Sequence, residues 1–270
     1  MLSDNFTEVS FIRAKSHILR KEFAKAEEIY RNILSRLPKK YPDAFIVWET
    51  LGSLSAQIGK LDKAIEAYKK CISLKPNYAD AYKNIGNAFQ SQGKLEKAIE
   101  AYTKALFLMP NNVDTNFNTG NTYRELGKPE EAIEAYTKAL ILKPDYAEPY
   151  NNIGLVLHYL DKSYEAIETF NKSISLKPDF AEAHQNLSLT LLNSGRLKEG
   201  LDESEWRWKT EKYFYKNRHF SRPMWDGIQS LKDKRILLWC EQGIGDTINW
   251  SSFLPLVNSK TKNFVFGCHE

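Results

Sequence analysis

The sequence has little cysteine and no long apolar run. Its three cysteines, Cys71, Cys240 and Cys268, show no metal-ligand spacing and have no close histidine, so buried reduced thiols are expected. No apolar run approaches the roughly 20 residues that span a bilayer. The segment 1–20 places acidic residues before any apolar stretch and lacks a signal-peptide core. These absences predict a cytoplasmic protein with no metal, no cofactor and no membrane contact.

Most of the chain has no excess of basic charge. Hydrophobic residues make up 42% and charged residues 27% of the sequence, which is typical of a soluble folded protein. Residues 1–205 contain 27 Lys and Arg against 28 Asp and Glu, whereas residues 206–270 contain 11 against 6. Because phosphate binding depends on clustered cations, the near-neutral region 1–205 argues against a nucleic-acid groove.

The chain contains an internal repeat with a period of 34 residues. Glycines, alanines and aromatic residues recur with the same step as a series of prolines. The four series are Pro42, Pro76, Pro110, Pro144 and Pro178; Gly52, Gly86, Gly120 and Gly154; Ala64, Ala98, Ala132 and Ala166; and Tyr68, Tyr102, Tyr136 and Phe170.

Each unit has the pattern of two amphipathic helices. In segment 80–92 the apolar stripe consists of Tyr82, Ile85, Gly86 and Phe89, spaced as one helix face requires. A second stripe runs from Leu95 to Leu106, and Pro110 ends it because proline cannot continue the hydrogen-bond ladder. Small residues such as Gly86 and Ala98 predict close helix packing, with Tyr102 filling the gap to the next unit. Such a pair must stack on its neighbours to bury both faces.

The segments "AYKNIGNAFQSQGKLEKAIEAYTKAL" and "PYNNIGLVLHYLDKSYEAIETFNKSISLKP" resemble tetratricopeptide repeats. The resemblance implies a mainly α fold, a right-handed superhelix of about six helix pairs over residues 1–200. Regular units span 43–76, 77–110, 111–144 and 145–178, between a degenerate first unit at 5–38 and a sixth that starts at Asp179. The sixth has Ser188 and Gly200 where earlier units have glycine and alanine. Asp161 replaces a turn glycine, which predicts a different turn there.

Asparagines repeat on the helix face opposite the apolar stripe. The residues two before the glycine position are Thr50, Asn84, Asn118, Asn152 and Asn186, and Asn87 and Asn121 share their face one turn later. This row resembles the asparagine row of O-linked N-acetylglucosamine transferases, which implies that the groove holds an extended polypeptide without reading its side chains. The alternative is that asparagine is simply common at this place in the repeat consensus.

A linker strap is predicted over residues 201–232, where the period fails. Its stretch "EWRWKTEKYFYKNRHFSRPMWDG" interleaves aromatic and basic residues. Such a pattern is able to stack on single-stranded nucleic acid. Packing of the rings between two domains is the interpretation we favour, so no nucleic-acid partner is expected.

From residue 233 to 270 the pattern predicts an incomplete α/β segment of Rossmann-like β-α-β type. The expected strands are 235–240 and 263–268, with a helix over 247–257. Between strand and helix, Gly243, Gly245 and Thr247 are candidates for binding a phosphate.

The run "WRW…RPMWDG…LKDKRILLWCEQGIGDTINWSSFLPL" resembles the junction between tetratricopeptide repeats and a heptosyltransferase-like glycosyltransferase domain. By that resemblance Asp246 is the candidate catalytic base. Capping of the following helix is the alternative role for Asp246.

Two functions follow from these patterns. The first is a protein-interaction scaffold that binds an extended polypeptide in its concave groove. The second is the N-terminal part of a glycosyltransferase whose repeats recruit the acceptor. The chain alone is not expected to be an enzyme, and a sugar nucleotide is a partner only if the chain is longer. Exposed end repeats and an unfinished sheet edge leave self-association open.

Overall fold

The structure, a computed structural model, describes residues 2–37, 41, 43–204, 206, 236–239 and 264–267. The chain divides into two compact units, Met1–Glu205 and Trp206–Glu270. None of the helices in the described residues is both long and apolar enough to cross a membrane. The helices are α1 (Leu2–Leu19), α2 (Phe23–Arg36), α3 (Ala44–Gln57), α4 (Leu61–Leu74), α5 (Ala79–Ser91), α6 (Leu95–Leu108), α7 (Val113–Glu125), α8 (Pro129–Leu142), α9 (Ala147–Tyr159), α10 (Ser163–Leu176), α11 (Ala181–Asn193) and α12 (Leu197–Ser204), and the strands are β1 (Ile236–Trp239) and β2 (Phe264–Gly267).

The helices of the first unit pack as six successive pairs, α1 with α2 through α11 with α12. Each second helix also contacts the first helix of the next pair. The first helices of successive pairs contact one another from α3 to α11, whereas in the described part of the chain the second helices do so less. Since the elements of a curved stack approach most closely on its concave side, the first helices form an inner wall. The predicted mainly α stack of helix pairs is confirmed.

The repeated glycine gives room to an aromatic ring of its own repeat. A Cβ placed on Gly86 would lie 2.4 Å from Cε1 of Tyr102, and one on Gly120 would lie 2.6 Å from Tyr136. Both rings are fully buried. The prediction that Tyr102 fills the gap to the next unit is therefore incomplete, because its ring lies first against Gly86. Glycine is required where the ring covers the helix.

The sixth helix pair lacks both the glycine and the ring that covers it. Ser188 occupies the glycine position, and the ring position sixteen residues later holds Ser204, so no ring needs the space. The Ser188 hydroxyl donates to the Gly200 carbonyl at 2.6 Å. A Cβ on Gly200 would lie 2.7 Å from Cγ of Leu192. The last repeat thus replaces the glycine and alanine of the earlier repeats with Ser188 and Gly200, and these two residues are joined by a hydrogen bond.

The turns inside the helix pairs share one backbone conformation. Gly93, Gly127 and Gly195 have φ values of 71°, 70° and 79°, and Asp161 has a φ of 57°. The prediction of a different turn at Asp161 is wrong. The hydrogen bonds that close the turn recur at the same positions, from Lys162 N to Leu157 O at 2.9 Å as from Lys128 N to Tyr123 O at 2.9 Å. Asp is among the residues that reach this left-handed region at modest energetic cost.

The second unit contains a parallel strand pair. β1 and β2 pair from Ile236 opposite Phe264 to Trp239 opposite Gly267. Both strands fall within the apolar runs that the sequence predicts as strands. The helix predicted over 247–257 lies outside the described residues, so the Rossmann-like segment stays a prediction.

Candidate functional site

The inner wall carries side-chain amides at two positions of its repeats. One position lies two residues before the packing glycine or its equivalent Ser188, and the other lies one residue after it. All of these amides are half-buried. They are called the amide row, and its members are Asn84, Asn87, Asn118, Asn121, Asn152 and Asn186.

Two neighbouring repeats are joined through Asn87. The Tyr102 hydroxyl donates to Oδ1 of Asn87 at 2.7 Å. Nδ2 of Asn118, on the next first helix, donates to the same oxygen at 2.9 Å. Because the ring lies over Gly86, its hydroxyl reaches the wall beside Asn87. The glycine, the ring and the two amides therefore form one unit.

The same arrangement recurs one repeat later around Asn121. The Tyr136 hydroxyl donates to Oδ1 of Asn121 at 2.8 Å, and Nδ2 of Asn152 donates to that oxygen at 2.8 Å. Nδ2 of Asn152 also lies 3.5 Å from the Tyr136 hydroxyl. The sequence predicts amides that are free to pair with a ligand. In the structure, part of their hydrogen-bonding capacity joins the repeats instead.

This network fixes the orientation of two amides. An asparagine side chain has one acceptor oxygen and one NH2 donor group. In Asn87 and Asn121 the oxygen accepts two bonds from the wall. The NH2 groups of both residues have no hydrogen-bond partner among the described residues. These two positions consequently present NH2 donors to the groove, and the hydrogen bonds to each oxygen fix the orientation of the amide.

The amide row changes at both ends. Asn84 forms no hydrogen bond within the described residues, and the Tyr68 hydroxyl instead lies 3.2 Å from Oγ of Ser53. At the other end, Nδ2 of Asn186 donates to Oδ1 of Asn151 at 2.9 Å. Asn151 is only 1% exposed, so this amide serves packing. The structure thus brings four of the six predicted residues into the two ring-centred networks.

Burial keeps the ring hydroxyls protonated. Burial raises the pKa of Tyr68 to about 12. Burial also raises the pKa of Tyr102, to which the nearby Glu125 carboxylate contributes. For Tyr136, burial raises the pKa while a hydrogen bond with Arg124 opposes the shift. All three hydroxyls therefore keep their protons at neutral pH.

Charged side chains on the wall are mostly paired with other protein groups. Nζ of Lys83 lies 2.8 Å from Oδ1 of Asp80. Nε2 of Gln90 donates to Oε1 of Glu125 at 2.9 Å, which links α5 to α7. Burial raises the pKa of Glu49, and the Asp80 carboxylate adds to the shift. These contacts leave Arg124 as a wall cation with no acidic partner among the described residues.

The predicted phosphate-binding and catalytic residues are not among those that the structure describes. Gly243, Gly245, Asp246 and Thr247 lie outside the described residues, so their roles in phosphate binding and catalysis stay predictions. Among the residues that the structure does describe, no group of three or more His, Cys, Asp or Glu side chains is placed to hold a metal ion.

The sequence interpretation missed Tyr102, Tyr136, Asn151 and Arg124 as parts of the wall. The sequence did contain a signal for the tyrosines, because they recur every 34 residues as the asparagines do. No local signal marks Asn151 or Arg124, since Asn151 accepts its bond from Asn186 in the next repeat and Arg124 has no repeat equivalent of its own type.

Family models match the repeats. Models described as "TPR repeat" match residues 52–93 and 120–161, and models described as "Tetratricopeptide repeat" match 79–112 and 147–180. The chain therefore carries tetratricopeptide repeats over these residues. The matches do not extend to the resemblances to O-linked N-acetylglucosamine transferases or heptosyltransferases.

Solved structures share this architecture. "Crystal structure of MamA" is 28% identical, with a TM-score of 0.56, over 62% of this chain and 98% of that one. "YrrB: a TPR protein with an unusual peptide-binding site" is 22% identical, with a TM-score of 0.54, over 70% and 92%. A tetratricopeptide repeat protein from Parabacteroides merdae ATCC 43184 is 18% identical, with a TM-score of 0.66, over 79% and 80%. The last two similarities show the fold alone. A comparison with curated proteins found no match.

Proposed function

We propose that this chain of tetratricopeptide repeats is a protein-interaction scaffold whose inner wall holds an extended polypeptide along the amide row. The observation that supports it most is the fixed orientation of Asn87 and Asn121. Each presents its NH2 group while its oxygen is bonded to a tyrosine and to the next repeat. Donors that are already oriented lose little entropy when a ligand binds.

An extended polypeptide is the ligand that suits such donors. A helical segment uses its own carbonyl groups in internal hydrogen bonds, whereas an extended segment leaves them available. Backbone carbonyls occur at every residue, so recognition of this kind depends little on the ligand's sequence. The proposed ligand class is therefore an extended segment with few constraints on its side chains.

The fold is compatible with this use. The YrrB structure is described as having an "unusual peptide-binding site", which is a statement about that protein. Its 22% identity to this chain extends to the fold alone. The proposal for the present chain consequently depends on the geometry of its own amide row.

The test replaces the two outward donors and keeps the network. In the variant Asn87→Asp/Asn121→Asp, a carboxylate oxygen still accepts from the tyrosine and the next amide, while the outward NH2 becomes an oxygen. The probe is a fluorescein-labelled, uncharged peptide of Ser, Thr, Ala and Gln of about 12 residues, which spans about 40 Å when extended. Its affinity is measured by fluorescence anisotropy.

We expect the double variant to bind this peptide at least about fivefold more weakly, because two hydrogen bonds are lost. The matched control is Asn171→Asp, an exposed asparagine on the second helix α10. Thermal unfolding followed by circular dichroism checks that all variants fold. Equal affinities for the double variant and the wild type would contradict the proposal.

The alternative function, the N-terminal part of a glycosyltransferase, stays a proposal. Parallel pairing of β1 and β2 requires a crossover connection, which is common to α/β domains in general. The residues that would carry its chemistry, including Asp246, lie outside the described residues. In that case the amide row would recruit the acceptor polypeptide, and a sugar nucleotide would bind only to a longer chain.

A further inference from the structure

The first helix α7 buries polar side chains where its neighbours in the stack bury apolar or aromatic ones. Apart from Gly120, its buried residues are Thr115, Asn116, Thr119 and Thr122, and none of these four is more than 7% exposed. The same positions hold Val47, Trp48, Leu51 and Leu54 in α3, Ala81, Tyr82, Ile85 and Ala88 in α5, and Pro149, Tyr150, Ile153 and Val156 in α9. The repeat 111–144 therefore buries less apolar surface on its first helix.

The polar groups of this core are bonded within their own segment. Oγ1 of Thr119 donates to the Thr115 carbonyl at 2.7 Å, and Oγ1 of Thr122 donates to the Asn118 carbonyl at 2.8 Å. Oγ1 of Thr115 donates to Oδ1 of Asn112 at 2.8 Å. These bonds satisfy the buried hydroxyls, and none of the three ties α7 to the preceding helix α6.

The apolar core of the stack is interrupted at the same place. Among the described residues, buried apolar side chains form four clusters, of which the first two share α3 and α4 and the last two share α9. The second cluster ends in α6 at Ala101, and the third begins in α7 with the partly buried Phe117 and Tyr123. None of these four clusters spans α6 and α7.

Other joints between repeats are closed by an apolar side chain that packs with the ring of the preceding repeat. Ile85 of α5 lies in one cluster with Tyr68 of α4, and Leu187 of α11 lies in one with Phe170 of α10. Thr119 holds the same position in α7. Since threonine offers less apolar surface than leucine or isoleucine, the joint between α6 and α7 has the weaker hydrophobic contact.

Hydrogen bonds on the inner wall connect α7 to α5 across this joint. Nδ2 of Asn118 donates to Oδ1 of Asn87 at 2.9 Å, and Nε2 of Gln90 donates to Oε1 of Glu125 at 2.9 Å. Water replaces such bonds at small net cost when they face solvent, whereas buried apolar contacts resist separation. The joint consequently opens and tilts more easily than joints with an apolar contact.

We propose that the joint between α6 and α7 is a hinge, about which the helices α3–α6 and α7–α12 tilt as two rigid blocks. Motion at this place changes the curvature of the groove. The amide row crosses the hinge between Asn87 and Asn118, so a ligand that contacts both residues would hold it in one position. The hinge itself follows from the core of α7 and does not depend on the proposed function.

Four equivalent lysines allow the joints to be compared in the full chain. Lys70, Lys104, Lys138 and Lys172 are exposed at the same position of the second helices α4, α6, α8 and α10. They are replaced in pairs by p-acetylphenylalanine carrying a nitroxide, and double electron–electron resonance measures the distance distribution. The pair at 104 and 138 spans the hinge, and the pairs at 70 and 104 and at 138 and 172 are the references.

The matched variant is Thr115→Val/Thr119→Val/Thr122→Val, because valine keeps the shape of threonine and replaces its hydroxyl with a methyl group. The control is Thr103→Val in α6. Thr103 is exposed, and its hydroxyl donates to the Ile99 carbonyl as the buried threonines donate within α7. Hydrogen exchange of the backbone amides of α5, α7 and α9 gives a second measurement that needs no label.

We expect the distribution of the pair that spans the hinge to be about twice as broad as those of the references. Amides of α7 should exchange about tenfold faster than those of α5 and α9. The triple valine variant narrows the hinge distribution to the reference width and slows exchange in α7 by about tenfold, whereas Thr103→Val changes neither.

Equal widths for the three pairs in the wild type would overturn the hinge, as would exchange in α7 that is no faster than in α5 and α9. A broad distribution that persists in the folded triple variant would overturn its assignment to the polar core.

Discussion

The repeats 111–144 and 145–178 share one backbone plan and differ at three informative positions. The earlier repeat has a hydroxyl on its buried ring, an amide one residue after its packing glycine and a glycine in its turn. The later repeat has none of these three, although it keeps the wall amide of Asn152. The paired residues are Tyr136 and Phe170, Asn121 and Leu155, and Gly127 and Asp161.

The comparison shows which features belong together. Phe170 packs against Gly154 as Tyr136 does against Gly120, so the ring and the glycine serve packing alone. The hydroxyl and the asparagine disappear in the same repeat, which marks them as one polar unit added to the packing. Where they are missing, the position after the packing glycine is apolar: it holds Leu155 in this repeat and Leu189, which is 50% exposed, in the next. The amide network is thus separable from the fold.

The largest effect is expected from filling the space under a ring. Gly86→Ala places a methyl group where the buried Tyr102 ring lies. Overpacking costs up to about 3 kcal/mol, and the better helix propensity of alanine returns about 1 kcal/mol. We expect the free energy of unfolding, measured by urea denaturation, to fall by about 2 kcal/mol.

The same change is then made in the Tyr102→Leu background, where the ring is absent. There the alanine should cost little or even stabilise the helix, as Ser188 shows that this position accepts a Cβ when no ring follows. An equal cost of Gly86→Ala in both backgrounds would refute the role assigned to the ring.

A smaller effect is expected from breaking the polar unit. Tyr136→Phe removes the donor to Asn121 Oδ1 and should lower the free energy of unfolding by about 1 kcal/mol. The double variant Tyr136→Phe/Asn121→Leu copies Phe170 and Leu155, so its loss should be smaller than the sum of the two single losses. A double-mutant cycle in urea measures this coupling. Strict additivity would show that hydroxyl and amide do not act as a unit.

The smallest effect concerns the turn. Asp161→Gly removes a side chain from a left-handed conformation and should stabilise the protein by about 1 kcal/mol. The reverse exchange, Gly127→Asp, should destabilise the preceding repeat by a similar amount. Thermal unfolding of both variants checks the pair. If Asp161→Gly lowered the midpoint, the aspartate side chain would have a stabilising contact that outweighs its strain.

Much of the fold could be predicted from the sequence because the information is local. Proline, glycine and apolar spacing within 34 residues define where helices begin, end and pack, and the six helix pairs follow. Asp161 was misjudged because glycine at this place is a preference and not a requirement. The turn keeps its two closing hydrogen bonds with either residue.

The candidate site could be predicted only in part. The positions of Asn118 and Asn152 on one face follow from helix geometry, but their bonds to Asn87 and Asn121 connect residues 31 positions apart on different helices. The orientation of those amides also depends on how far each ring hydroxyl reaches. Arg124 stands out only after the hydrogen bonds around Tyr136 have been assigned to their partners.

The central claim, that Asn87 and Asn121 present their NH2 groups to an extended ligand, is tested most directly by NMR of the side-chain amides. The uncharged peptide is titrated into protein labelled with 15N, and the side-chain NH2 signals are assigned by substitution. We expect the signals of Asn87 and Asn121 to shift with the peptide while that of Asn171 stays constant. Peptide binding that leaves both wall signals unchanged would contradict the account.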